Sequence, residues 1–227
     1  MDFTYSIVHF FAGGGAFMFP ILMVAAFGAA IAIERYVTLT RAAVKNRSAW
    51  QQLEPTLSSG DFDKARELSN DDETAISRLL ATGLARQGAV RRREDVESAM
   101  EERMMEIVPQ LEKRTHYLAT FANLATLLGL LGTVSGLIHA FAAVATVNPA
   151  EKANLLSASI SEAMNCTAFG LMTAIPILLA HAMLQTKTTE LINSLESACV
   201  KFLNALSERQ PTRASARLAL AQAGGQR

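Results

Sequence analysis

The chain lacks most of what would mark it as a secreted, disulfide-built or nucleic-acid-binding protein. It has two cysteines, Cys166 inside a hydrophobic block and Cys199 in a polar stretch far from it, so no disulfide is expected. It also lacks an excess of either charge. Its 21 Lys and Arg balance 21 Asp and Glu, which removes the electrostatic case for nucleic acid as a partner. The basic run Arg91-Arg92-Arg93 leads straight into Glu94, Asp95 and Glu97 and reads as a solvated helix start. Aromatics are sparse at 7%, and no Lys or Arg precedes the first apolar block. A cleavable secretory leader needs a positive head and a small-residue cleavage site, so the first span is expected to be retained.

What is present in quantity is apolar surface, and it is gathered into three blocks. The first, 16–34, is near the lower limit for crossing a ~30 Å hydrocarbon core at 1.5 Å per residue. Pro20 falls in its first turns, where a missing N–H costs least. Gly13-Gly14-Gly15 separates this block from the aromatic stretch 3–11, an outer segment (1–15) able to lie along the interface. The second block, 118–147, ends at Asn148-Pro149, and a short loop, 148–156, leads to the third, 157–185. Both later blocks are long enough to span with tilt.

Basic residues set the direction. Most of the 21 Lys and Arg lie between the first two blocks, with Arg35, Arg41, Lys45 and Arg47 just past the first and Lys113 and Arg114 just before the second. Lys187 and Lys201 follow the third block, the outer loop has only Lys152, and the amino-terminal segment has none. The positive-inside rule then gives an all-α, three-span integral membrane protein with its amino terminus outside and its carboxyl terminus inside.

The polar stretch 35–117 reads as a cytoplasmic helical domain. Asp61 is placed to start a helix whose Phe62, Ala65 and Leu68 share a face, and 75–86 repeats the pattern. From Arg93 no strong stop occurs before the second span, so that span is expected to continue as a long helix, with Pro109 as its single interruption. The third span is expected to continue through 186–210, where Leu184, Leu191, Leu195 and Phe202 recur at heptad-like spacing suited to bundle packing. The tail 211–227 reads as weakly ordered.

Inside the apolar blocks, small and hydroxyl residues are patterned. Ala122, Thr126, Gly129, Thr133, Gly136 and Ala140 step by four and three along one face of the second span, with Gly132 nearby, while Leu127, Leu128, Leu130, Leu131, Leu137 and Ile138 supply bulk elsewhere. Ala163, Thr167, Gly170, Ala174 and Ile177 form a similar face in the third, with Pro176 within it and His181 at its inner end. Such faces let helices approach closely and let hydroxyls bond across the contact. Glu162 lies one to two turns inside the third span. A carboxylate facing acyl chains there costs roughly 2.5–3.5 kcal/mol or more, so it is expected to face protein or water, at the interface or at the mouth of an ion path. His139 and His181 stand without a partner ligand at metal-binding spacing, and no cofactor is signalled. Ser135 and His139 lack the elbow and the orienting acid of a hydrolase.

The runs ATLLGLLGTVSGLIHAF and ISEAMNCTAFGLMTAIPILLAH, with AIERY after the first span and the segment SGDFDKAREL, resemble the ExbB/TolQ/MotA proton-channel subunits, closest to the ExbB/TolQ branch. The likeness extends from about residue 17 to 206. It departs where family members often have Pro, at Thr126, and Trp, at Ser135. The resemblance implies a ring, generally a homopentamer, in which spans two and three face a shared central cavity. It implies a smaller ExbD- or TolR-like partner whose single membrane helix carries an Asp, and work delivered through a TonB- or TolA-like protein. It implies that the functional hydroxyls are Thr133 and Thr167 and the intramembrane carboxylate is Glu162. The work performed stays open between outer-membrane uptake, Tol-type envelope maintenance and surface motility, and a passive oligomeric scaffold is the rival class.

Overall fold

The computed structural model describes residues 15–89 and 93–224. The expectations for the amino-terminal aromatic segment, for Arg91 and Arg92, and for the side chains of 208–227 lie outside the described residues. Among the described residues six helices follow one another: α1 Met18–Ser59, α2 Phe62–Asp71, α3 Ala75–Ala89, α4 Arg93–Glu112, α5 Thr115–Thr146 and α6 Lys152–Gly224. The described residues contain no strand. Among the described residues three helical stretches are long and apolar enough to cross a membrane: Met18–Ser59, Arg93–Thr146 and Lys152–Ser207. The chain divides into two compact units, one from residues up to Tyr36 with Arg114–Gln185, the other from Val37–Lys113 with Thr186 onward.

The breaks between helices have local causes. Helix α1 ends at Ser59 because Gly60 adopts φ +72°, the left-handed conformation that costs glycine nothing. The Gly60 N–H then donates to the Leu57 carbonyl (3.1 Å) and the Asp61 N–H to the Thr56 carbonyl (3.0 Å), closing the last turn in a Schellman arrangement. Asp61 goes on to cap α2, its carboxylate accepting from the Lys64 N–H at 3.2 Å, so the expected helix start is present. Asp72 ties the turn into α3 by accepting from the Thr74 N–H (3.3 Å) and the Thr74 and Ser77 hydroxyls (2.9 and 3.1 Å).

Two boundaries differ from the sequence expectation. The helix expected to run unbroken into the second span is interrupted at Lys113 and Arg114, while Pro109 stays inside α4. Arg114 takes φ +65°, a conformation costing a non-glycine residue about 1–2 kcal/mol. Its Nη1 donates to both Glu34 carboxylate oxygens, at 2.9 and 3.0 Å, in an exposed ion pair beside the start of α5. Nothing in the apolar periodicity marks this break, and the Glu34 that Arg114 meets there is 80 residues away in the chain. In addition, α6 begins at Lys152, within the stretch expected as loop, after a turn in which the Glu151 N–H bonds the Asn148 carbonyl at 3.0 Å. The backbone of 211–224 follows the helical path of α6.

The second unit has an ordinary aliphatic core. Leu53 and Leu57 of α1, Leu79 and Leu80 of α3, Met100 of α4, and Leu195 and Phe202 of α6 are all buried there, with Phe62 and Leu68 packed against them. Phe202 is the largest fully buried side chain. It sits where Gly83 has no side chain, since a Cβ added to Gly83 would come within 2.6 Å of the Phe202 ring and 2.7 Å of the Met100 sulfur. Leu191, Leu195 and Phe202, part of the heptad-like stripe, are buried in this unit.

Truncating Phe202→Ala should lower stability by about 3–5 kcal/mol, the cost of a large unfilled cavity, read as a fall in the denaturation midpoint of the detergent-solubilised protein. Cys199 supplies a pH-dependent marker of the same packing. Burial first, then Glu196 and Glu101, push its thiol up to about 11. In a Cys166→Ser background, maleimide labelling of Cys199 should be slow at neutral pH and rise about tenfold per pH unit as thiolate accumulates below that value.

Candidate functional site

The first unit is a seam between α5 and α6 with the start of α1 laid against it. Its buried α5 residues are Thr115, Leu118, Ala122, Ala125, Gly129, Gly132 and Ala140. From Leu118 to Gly132 they step by four and three, and the small ones among them form a stripe where the backbones can meet. At the centre, a Cβ placed on Gly129 would lie 3.2 Å from the Thr167 Cα and 3.3 Å from the Gly170 Cα. A Cβ on Gly170 would lie 2.7 Å from the Ala125 carbonyl oxygen and 3.0 Å from the Gly129 Cα. One step outward, Gly136 faces Ala163, whose Cβ would be 2.8 Å from an added one. Gly132 makes the notch that receives the Cys166 sulfur.

This arrangement sorts two stripes that interleave in the sequence. The stripe containing Thr126 and Thr133 was expected to form a single face with Gly129 and Gly136. The seam instead runs through Ala125 and Gly132, and each threonine stands one residue, about 100°, round from it. Thr126 is exposed and donates its hydroxyl to the Ala122 carbonyl at 3.1 Å. Thr133 is half-buried and donates to the Leu130 carbonyl at 2.6 Å. Thr167, on α6, reaches across instead, its hydroxyl donating to the Gly129 carbonyl of α5 at 2.8 Å.

The face expected on the third span also divides. Ala163, Thr167 and Gly170 meet α5, whereas Ile177 packs on Gly28 of α1, its Cδ1 lying 2.7 Å from where a Gly28 Cβ would stand. A stripe repeating every seven residues falls back about 20° per repeat on a 3.6-residue helix, which turns its far end toward a different neighbour. Ala174 is buried and Pro176 exposed.

Glu162 is not brought to Thr167. Five residues apart, the two point about 140° away from each other on α6. The Glu162 carboxylate lies against Gly15, occupying the place a side chain there would take, and Gly15 itself holds φ +71° at the entry to α1. The contacts made by Gly15, Gly28 and Cys166 were not singled out in the sequence. The isolated Gly28 in an apolar helix is the signal that could have pointed to one of them. Among the described residues, no three His, Cys, Asp or Glu side chains gather as a metal site would require. His139 is exposed and His181 half-buried.

Outside the seam the apolar surface is uncovered. Phe19, Met23 and Phe27 on α1, Leu127, Leu130 and Ile138 on α5, and Met172, Ile175 and Leu179 on α6 are exposed in the single chain. Only 17–33% of the three most apolar windows is buried within it. Such surface needs lipid or another apolar protein face as its solvent.

Gly170→Ala should separate the two helices, because the atoms it meets are backbone and cannot rotate away. A loss of about 1–3 kcal/mol is expected in thermal denaturation of the purified protein, with Gly129→Ala losing less because its contacts are longer.

Against known proteins, the model of the MotA/TolQ/ExbB proton channel family matches residues 71–197, a range that includes Thr133, Glu162 and Thr167. The chain is similar to the Tol-Pal system protein TolQ of Haemophilus influenzae, 34% identical over 106 residues covering 47% of this chain and 44% of that protein. It is also similar to TolQ of Pseudomonas aeruginosa, 36% identical over 83 residues covering 37% and 36%. The matches thus span less than half the length of these two relatives. The biopolymer transport protein ExbB-like 1 of Synechocystis is 31% identical over 179 residues, covering 77% of this chain and 68% of its own.

Proposed function

Because the chain belongs to the MotA/TolQ/ExbB proton channel family, we propose that it is the ring-forming subunit of an inner-membrane motor driven by the proton-motive force. In this reading copies of the chain, five by family resemblance, enclose a central path with α5 and α6. An ExbD- or TolR-like partner contributes a single membrane helix bearing an Asp. The amino terminus lies outside and the carboxyl terminus inside, the orientation set by the basic residues between the first two spans. The work is done on the cell envelope, through a TonB- or TolA-like protein in uptake or envelope maintenance.

The observation that carries this reading is the placement of Thr133 and Thr167. Both are half-buried, Thr133 flanked along its helix by exposed Leu130, Leu131, Val134 and Leu137 and Thr167 by exposed Met164, Leu171 and Met172, and Thr133 stands beside the seam and not within it. A hydroxyl left at the edge of a close helix pair is a group for a neighbour to use. The carboxylate of Glu162, held at the start of α1, is assigned to the mouth of the same path.

The driving force has an elementary source. One charge crossing the membrane potential is worth ~2.3 kcal/mol per 100 mV. If alternate protonation of the partner's carboxyl changes which ring contact it prefers, proton flow becomes stepwise movement of one component against the other. Five equivalent contacts around two partner helices leave no single deep minimum. This chain has no Asp within its three apolar blocks, so the relay is complete only with the partner.

Thr133→Val and Thr167→Val remove the hydroxyls with little change of shape. Each should leave an assembly that still co-purifies with the partner while proton flux in proteoliposomes falls about tenfold, the rate equivalent of ~1.4 kcal/mol. Flux that survives both changes in an intact assembly would leave only the passive scaffold. The chain reconstituted alone should conduct little.

A further inference from the structure

The direction of the hydrogen bonds made by these threonines decides what they can offer to anything in the path. A threonine hydroxyl has one hydrogen to donate and two lone pairs to accept with. A backbone carbonyl has no hydrogen, so in a bond between the two the hydroxyl must be the donor. Thr167 makes such a bond to Gly129 at 2.8 Å, and Thr133 makes one to Leu130 at 2.6 Å. Thr126 does the same toward Ala122 at 3.1 Å. The single hydrogen of each hydroxyl is therefore directed into the protein backbone.

Thr167 is the most constrained of the three. Its bond crosses from α6 to α5 at the closest approach of the two helices, where the Thr167 Cα would stand 3.2 Å from a Cβ on Gly129. The Gly129 carbonyl it meets is fixed in the α5 ladder, four residues before Thr133. Neither end of the bond is free to shift without opening the seam. What remains for a neighbour is the lone pairs of a half-buried oxygen.

We propose that Thr167, with Thr133 in the same sense, acts toward the proton carrier as a hydrogen-bond acceptor only, so that this station favours a protonated, neutral carboxyl over a carboxylate. The inference rests on the reading of the chain as a proton-path subunit. A neutral acid donates its O–H to the threonine oxygen, whereas a carboxylate brings only lone pairs to lone pairs. The loaded carrier thus rests here, and the unloaded carrier is stabilised elsewhere. Titratable groups on the helices of this unit are Glu34, Arg35 and Tyr36 of α1, His116, Tyr117 and His139 of α5, and Lys152, Glu162, Cys166 and His181 of α6, and α1 carries none between Met18 and Ile33. Glu162 is turned to Gly15 and Cys166 into the Gly132 notch.

The test is the sign of a pH shift. Proton flux is measured against pH in proteoliposomes containing the chain with its co-purifying single-span partner. An acceptor stabilises the protonated form and raises the pH at which the carrier is half-loaded. Removing it by Thr167→Val should therefore lower the midpoint of the profile by about 0.5–1 pH unit, while Thr167→Ser restores it. A donor hydroxyl would give the opposite sign. If the Thr167→Val assembly fails to form, Thr133→Val applies the same test with a bond confined to α5. A midpoint that rises or stays fixed in a conducting complex overturns the acceptor assignment alone. Absence of a partner, or a wild-type complex without flux, removes the channel reading itself.

Discussion

The backbone contact between α5 and α6 at Gly129 and Gly170 is the constraint on which the membrane unit depends. In hydrocarbon there is no hydrophobic force to press helices together, so association rests on packing and on polar contacts across the interface. Closest approach maximises both. Gly129 and Gly170 allow the two Cα traces to touch, and that closeness brings the Gly129 carbonyl within reach of the Thr167 hydroxyl. Gly136 against Ala163, and Gly132 against Cys166, extend the contact outward from this point.

A seam of this kind determines what is left over. With the smallest residues turned inward, the bulky ones face away, and the single chain leaves phenylalanine, leucine, isoleucine and methionine uncovered on all three apolar helices. Such surface calls for acyl chains or another apolar protein face as its solvent. Thr133 sits at the boundary between the covered and uncovered parts. Its hydroxyl stands beside the seam and donates to the Leu130 carbonyl of its own helix.

The second unit follows different rules. Its helices are amphipathic and water-adapted, and its core of leucines around Phe202 is assembled from α1, α2, α3, α4 and α6. There glycine serves as a vacancy for a large side chain, as Gly83 does for Phe202 and Met100. In the seam Gly129 and Gly170 allow main chain to meet main chain. The same residue type therefore tolerates change differently in the two places, because a side chain can rotate away and a carbonyl in a helical ladder cannot.

The sequence by itself determined the helical class, the three apolar blocks and the start of α2 at Asp61, since each follows from local composition, periodicity or capping chemistry. It also contained every residue of the seam, but not their arrangement. The stripes through Thr126 and Thr133 and through Ala125 and Gly132 have nearly the same spacing, and only the position of α6 decides which is buried. The turn of Ile177 toward Gly28 and the hold of Glu162 on Gly15 each depend on a contact between residues far apart in the chain. Periodicity reports which residues share a face of one helix. Which neighbour meets that face, and which way a hydroxyl hydrogen then points, is decided by packing in three dimensions.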